Sequence, residues 1–461
     1  MFSIFQNDRS QRPQQSAPDS GNVIFVFDIG SANVRLAAGQ VSPDLQVKIL
    51  GYCEKPSQGV SRGAVTDIEK LSAVLAQLVD EFSNRYSFNL RSCLVGVPGV
   101  FIKSSNEAGS STVQNGIVSE ADKVRAIENA RAAVNIAESD FRIIHTIQQK
   151  YITETSNEVE NPVGQYARRL QVSVHIIGLR RAHELNVRHV LERLASDFRA
   201  SDFVFSGIAA SDAVLKEGDK EIGVCLINIG AGTVDVAVYD SKRLLLTFGF
   251  DDGGNTITWN IAKSFGVPLS LAEQIKRYGN ADPRYLTEQE LNVDAVKIES
   301  GEPGEERVVR ISEISYIINK CLNNIFRRIS DTIQRMVNDG SVGEGMRQVN
   351  MAAGFVLTGG VARTRDIDKV LQDNMQYGTS NFGQEPASVK ICVGIPRGVS
   401  AADEETARLM ADPDKAVVVG LIRSGYRISV ERQTQGRREE EKKGGVTGAA
   451  RRVWEWLRSE M

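Results

Sequence analysis

One pattern constrains this chain more than any other: a strand, a glycine turn and a second strand, recurring 200 residues further on. Val23 to Phe27 reads as a strand, Asp28-Ile29-Gly30-Ser31 as a turn and Val34 to Ala38 as the returning strand. The unit comes back as the strand Val224 to Ile227, the turn Asn228-Ile229-Gly230-Ala231-Gly232-Thr233 and the strand Val234 to Tyr239. A duplication of that period gives two related halves facing each other, because solenoid repeats are far shorter. The chain has 461 residues, 41% of them hydrophobic, enough for a proper core spread over two to four domains.

Charge and cysteine usage exclude several classes. The net charge is -3 and the basic residues are scattered among acids, so no nucleic acid is expected as a partner. Five cysteines (Cys53, Cys93, Cys225, Cys321, Cys392) stand at no metal-binding or redox spacing and read as reduced thiols in a cytosolic protein. No apolar run approaches the roughly 20 residues that span a bilayer, and residues 1–22 read as a flexible arm without a secretory signal. The expected protein is neither exported nor membrane-spanning. Helical periodicity marks Ile68 to Phe82, Glu120 to Ala137, residues 184–196, Ala209 to Leu215, Thr256 to Ser264, Ile311 to Val337 and Thr364 to Leu371. Val417 to Tyr426 is the last core-like segment.

Candidate chemistry lies at the turns. Gly30 brings backbone N–H groups close to a phosphate with no Cβ in the way. Asp28 is placed to hold Mg2+ through its waters, Ser31 adds a hydroxyl and Arg35 is expected to neutralise phosphate charge. Taken alone, a strand followed by Asp and Gly is only a common tight turn. The second turn crowds Gly230, Gly232 and Thr233 between apolar strands, with Asp235 following, and suits the opposite side of the same phosphates. Thr358-Gly359-Gly360 follows a buried strand, where glycine lets a ring or ribose approach the backbone. Glu273 and Lys276, three apart on a helix, either contact adenine and ribose or form a solvated helix face. His145, His175, His183 and His189 fall in or near residues 93–178, away from the turns, and read as surface or packing residues. No catalytic base can be assigned.

With three turns in this order, the chain resembles the actin, Hsp70 and sugar-kinase superfamily: phosphate-1 at Asp28 to Arg35, phosphate-2 at Asn228 to Asp235, adenosine motif at Thr358 to Ala362. Within it the chain is similar to the FtsA family of bacterial cell division. The marks of that family are Ser61-Arg62-Gly63-Ala64-Val65-Thr66-Asp67, Asn161-Pro162-Val163-Gly164 with Arg169-Leu170, Glu221 to Leu226, and Gly253-Gly254-Asn255.

The resemblance implies an α/β, actin-like ATPase fold with two lobes of duplicated βαβ core and an inserted subdomain. It divides the chain into a first lobe of residues 23–92 and 179–221, an insert of 93–178, and a second core of 222–255 and 350–427. Residues 256–349 form a further subdomain, 428–446 a charged linker and 447–461 a terminal helix. It also implies ATP and Mg2+ in the cleft, self-association into head-to-tail filaments and binding of the FtsZ C-terminal peptide. Other divisome proteins are expected at the insert, and the location is the cytoplasmic face of the cell membrane at the division site.

One position departs from the superfamily, which usually has Asp where Asn228 stands. A neutral amide orients the Mg2+ site less well than a carboxylate, so turnover should suffer more than binding, giving at most a slow ATPase. The tail changes character. Val446, Ala450, Val453, Trp454, Leu457 and Met461 share one helical stripe with Trp456 at its margin, flanked by Arg451, Arg452 and Arg458. Tryptophan at a headgroup boundary and arginine on lipid phosphate make this an interfacial membrane helix; docking on the protein's own body is the alternative. Two other functions stay open on the same fold: a type IV pilus assembly scaffold, which generally lacks such a tail, and a small-molecule kinase, which needs a carboxylate base.

Overall fold

The computed structural model describes residues 23–134, 140–195, 198–299, 306–341, 349–376 and 390–433. The arm 1–22, the linker from 434 onward and the terminal helix 447–461 therefore lie outside the described residues.

Both hairpins form, and they are built alike. Ile24–Ile29 pairs antiparallel with Asn33–Val41, and Val224–Ile229 with Val234–Asp240. The register is identical after the 200-residue offset: Asp28 faces Arg35 as Asn228 faces Asp235. Each hairpin gains a third antiparallel strand, Val47–Pro56 in the first lobe and Arg243–Phe250 in the second. On its other side each gains two parallel strands. These are Ser92–Val97 and Arg199–Phe205 in the first lobe, and Gly354–Thr358 and Ile391–Val393 in the second.

Both faces of each sheet are covered, which explains why the central strands are almost continuously apolar. Alternate residues point to opposite faces. Val26 and Ala37, like Leu226 and Ala237, face a core shared between the two sheets. Phe27 and Leu36 face outward onto the Ile68–Tyr86 and Arg181–Glu192 helices, and Ile227 and Val236 onto Gly254–Phe265 and Ile311–Asn338. The shared core is filled by Ala209, Ala210 and Ala213 of the Ser206–Val214 helix and by Val417 to Ile422 of a helix over 416–433.

Four expected boundaries move. The strand Ser92–Val97 pairs with Val26 to Asp28, so Cys93 to Val97 belong to the first lobe and the insert starts beyond them. The short strand Val399–Ala401 adds in parallel to Val47–Ile49 and so completes the first sheet, although it follows the second core in sequence. The final helix runs past Arg427 to 433, so residues 428–433 are helical where a linker was expected. It is anchored by buried Arg423, whose guanidinium donates to the carbonyls of Asp212, Leu45 and Arg397, and by Arg427 on Asp212 at 2.5 Å. Finally, the described residues within 256–349 share one core with the second sheet: Ile314, Ile318, Leu322 and Ile325 belong to the same cluster as Val234 and Ile257.

The insert is a small antiparallel sheet of Ile102–Thr112, Arg169–Arg180, Phe141–Thr153 and Ser156–Val159, with a helix packed on it. That helix, Glu120–Ala133, starts at a Ser119–Asp122 capping box and ends short of the expected Ala137; residues 135–139 are outside the described set.

Candidate nucleotide site

The two hairpin turns face each other across one cleft of about 1190 Å³. Its wall carries Asp28, Gly30, Ser31 and Arg35 from the first lobe. From the second it carries Asn228, Gly230, Gly232, Thr233, Asp235, Glu273, Lys276, Gly359 and Gly360. All thirteen residues that the sequence assigned to the nucleotide site thus lie on one surface. Each turn closes on itself in the same way: Gly30 N–H donates to the Asn33 carbonyl at 3.0 Å and Gly230 N–H to that of Thr233 at 2.9 Å.

The Gly253-Gly254-Asn255 motif starts a helix directly over the second turn. Gly254 and Asn255 N–H groups donate to the carbonyls of Gly230 and Ala231, so the helix start is bound to the turn. The Ser61 to Asp67 motif does two jobs: a two-residue turn and, at Asp67, an N-cap that accepts from Lys70 N–H at 3.1 Å.

Arg35 differs from expectation. Its guanidinium holds three carboxylates: Asp28 at 2.8 Å, Asp414 at 3.0 Å and Glu54 at 3.2 Å. With three of its N–H groups so engaged and its side chain 11% exposed, it braces the lobe. The brace continues through Lys415, which reaches Glu54 at 2.8 Å, and Arg363, which reaches Asp414 at 3.0 Å. Burial opposes the charge on Glu54, but the Lys415 ammonium and the Tyr52 hydroxyl outweigh it and hold the carboxyl down at about 2.

Glu54, Asp414 and Lys415 were not found from the sequence. The only local signal was Asp412-Pro413, where the Asp412 carboxylate caps a short helical turn by accepting from Asp414 N–H at 3.0 Å.

In the second hairpin Asn228 and Asp235 are both buried, and the Asn228 amide donates to Asp235 Oδ2 at 3.0 Å. The other carboxylate oxygen accepts from Gly99 N–H at 2.6 Å. Burial pushes the Asp235 carboxyl up to about 7, against the pull of these two donors and with the help of the Asp28 charge. Gly359 closes this wall with φ of 87°, a left-handed backbone that a side chain resists. A Cβ there would stand 2.5 Å from the Ile229 carbonyl and 2.6 Å from Asn228 Oδ1.

Glu273 and Lys276 are neither simply solvated nor free. Lys276 Nζ lies 2.6 Å from Glu273 Oε2 and 2.9 Å from Thr258 Oγ1, and also donates to the Gly254 carbonyl at 3.3 Å. His145, His175 and His183 are packing groups: burial pushes them down to about 4, 3 and 4, and His183 stacks on Phe101 at 4.0 Å. His189 is exposed. Among the described residues no cluster of histidine, cysteine or carboxylate side chains forms a metal cage, and no helix is long and apolar enough to cross a membrane.

Two lobes of duplicated topology around a deep cleft, with a third small sheet inserted in the first, define an α/β protein of the actin-like class. A solved PilM–PilN type IV pilus biogenesis complex aligns over 87% of this chain and 98% of its own, with a TM-score of 0.55 and 14% identity, a likeness of fold alone. The family models are more particular: the SHS2 domain inserted in FtsA matches residues 99–178, and the cell division protein FtsA matches residues 225–420. The cell division protein FtsA of Neisseria meningitidis serogroup B is 28% identical over 437 residues, covering 94% of this chain and 97% of the relative. That of Escherichia coli K12 is 27% identical over 441 residues, covering 95% and 98%. The chain belongs to the FtsA family of bacterial cell-division proteins.

Proposed function

We propose that this protein binds ATP with Mg2+ between its two hairpins, assembles head to tail with copies of itself and tethers FtsZ filaments to the cytoplasmic membrane at the division site. One observation supports the nucleotide reading above the others: two turns of identical register present Gly30 and Gly230 to opposite sides of a single cleft. The Gly30 and Gly230 N–H groups close their own turns, so the other N–H groups of the two turns are the ones offered to a polyphosphate, and Asp28 is the carboxylate proposed for a water-coordinated Mg2+. The metal would screen phosphate charge, while the chain's own residues bind and orient the ligand.

Hydrolysis is slow on this reading. Asn228 is neutral, and its amide is already turned to Asp235. The Glu273–Lys276–Thr258 network supports an adenosine contact on the second lobe. Self-association and the partner calls rest on family membership: the FtsZ C-terminal peptide, and other divisome proteins at the insert. The tether rests on residues 447–461, where Trp454, Trp456 and Leu457 lie beside Arg451, Arg452 and Arg458. One such helix binds a bilayer weakly, and many along a filament bind it tightly.

Three assays on the full chain test the parts separately. ATP binding is measured by calorimetry, capture by an immobilised FtsZ C-terminal peptide, and liposome co-sedimentation with and without residues 447–461. Retained sedimentation after removal of the tail would sink the tether, and loss of peptide capture would sink the FtsZ link.

A further inference from the structure

The cations on the cleft wall differ in what already holds them. Arg35 is committed to three carboxylates, Lys276 to Glu273 and Thr258, and Arg363 to Asp412 and Asp414. Arg62 stands apart. Its side chain is 69% exposed, and its partner is Asp251 of the other lobe at 3.3 Å, itself 44% exposed and shared with Arg328 at 3.8 Å. Water and salt screen a pair of that kind, so Asp251 holds Arg62 weakly.

The backbone that carries Arg62 is held firmly. Its φ of 48° is left-handed, and the next residue, Gly63, donates its N–H to Ser31 Oγ of the first hairpin turn at 2.9 Å. On the other side it meets the second turn: a Cβ on Gly232 would stand 3.0 Å from Arg62 Cα and 2.5 Å from Ser31 Oγ. The Ser61–Gly63 turn is thus seated where the two glycine hairpins meet, and it brings a loosely held guanidinium to that junction. The guanidinium fork matches phosphate oxygens in a way a point charge does not.

We propose that Arg62, and not Arg35, is the cation that engages the outer phosphates of a nucleoside triphosphate in this cleft. It exchanges Asp251 for phosphate oxygens, and Asp251 is the internal anion with which the ligand competes. This inference rests on the nucleotide reading of the cleft.

The test is calorimetric titration of the full chain with ATP and with adenosine, on wild type, Arg62→Gly, Arg62→Lys and Asp251→Asn. Glycine removes the guanidinium and keeps the left-handed backbone. Arg62→Gly is expected to weaken ATP about tenfold and adenosine by less than about twofold, as for one lost charge-assisted contact. Arg62→Lys recovers part of the loss, and Asp251→Asn tightens ATP. An unchanged ATP-to-adenosine affinity ratio in Arg62→Gly overturns the inference, and retained wild-type ATP binding then leaves the reading of the cleft intact. Wild type that binds neither ligand overturns both. Should Arg62→Gly fail to fold, Asp251→Asn decides, and ATP affinity equal to or below wild type overturns the proposal.

Discussion

Gly99 and Asp235 meet at the root of the insert, where the Gly99 N–H donates to a fully buried Asp235 carboxylate at 2.6 Å. The second oxygen of that carboxylate takes the Asn228 amide, and Asn228 Oδ1 lies against Gly359. One chain of contacts therefore runs from the first residues of the insert to the floor of the cleft. Its centre is a charge in a place where charge is costly.

That cost sets a pH dependence. The Asp235 carboxyl is raised to about 7 in the folded protein from an ordinary 3.8. Between those values the folded state holds a proton that the unfolded state has released. Its contribution to stability is complete below the unfolded value and is lost as pH rises through about 7. Asp235→Asn removes this loss and keeps an acceptor for Gly99 N–H if the Asn228 amide turns over. Relative to wild type, the variant should gain on the order of 2 kcal/mol at pH 8 and much less at pH 5. Urea unfolding of both proteins at the two pH values measures the difference; parallel pH profiles would rule the mechanism out.

Asn228→Asp does the reverse. It places a second carboxylate 3.0 Å from Asp235, and two buried carboxylates that close cannot both ionise without a counter-charge. In EDTA at pH 8 the variant is expected to lose about 2 kcal/mol of stability. Mg2+ should restore most of it while leaving wild type little changed. If the slow-turnover reading holds, phosphate release from ATP rises in the same variant. A variant as stable as wild type in EDTA would remove the electrostatic argument.

Much of this cleft could be read from residue order alone, for a physical reason. Asp28–Arg35 and Asn228–Asp235 are local hairpins, so their pairing follows from a turn and a seven-residue span. What could not be read depends on distant partners. Arg35 resembles a phosphate ligand until Asp414, 379 residues away, is seen to occupy it. The edge strand Val399–Ala401 joins Val47–Ile49 with no local sign of which sheet it serves. The resemblance put Cys93 to Val97 at the start of the insert, and a strand buried on both faces carries no polar alternation to show its sheet.

Gly359→Ala tests the wall directly. The backbone angle of 87° and the 2.5 Å approach to the Ile229 carbonyl leave no room for a methyl group, and the obstacle is main chain that cannot rotate away. A loss of about 2–4 kcal/mol is expected from strain and displacement together. The same methyl pushes on Asn228 Oδ1, so ATP binding should fall further than folding alone accounts for. Calorimetry below the melting temperature separates the two, and full ATP affinity in a folded Gly359→Ala would contradict the proposed placing of the ligand.

The insert interrupts the first lobe in sequence yet is bonded to the second, and this gives a last prediction. Asn106 donates to the carbonyls of Leu245 at 2.8 Å and Ser341 at 2.6 Å, while its own oxygen accepts from Gln149 at 2.7 Å and faces His175 Nδ1 at 2.8 Å. With Nδ1–H donating to Asn106, the other ring nitrogen is left to accept from the Thr247 hydroxyl, also at 2.8 Å. The Thr247 bond in this direction requires a neutral imidazole, in keeping with burial pushing His175 down to about 3. A histidine depressed below its ordinary 6.5 favours the folded state above that value, and the benefit drains away as pH falls toward 3. Asn106→Ala leaves the Leu245 and Ser341 carbonyls, Gln149 and His175 each one partner short. A cost of about 2–4 kcal/mol is expected from these unmet groups. The loss should be local: backbone amides of Arg243–Phe250 should exchange hydrogen faster, while those of Ile24–Ile29 keep their protection. Equal acceleration in both strands would mean that Asn106 supports global stability only and that the insert is not held to the second lobe by this network.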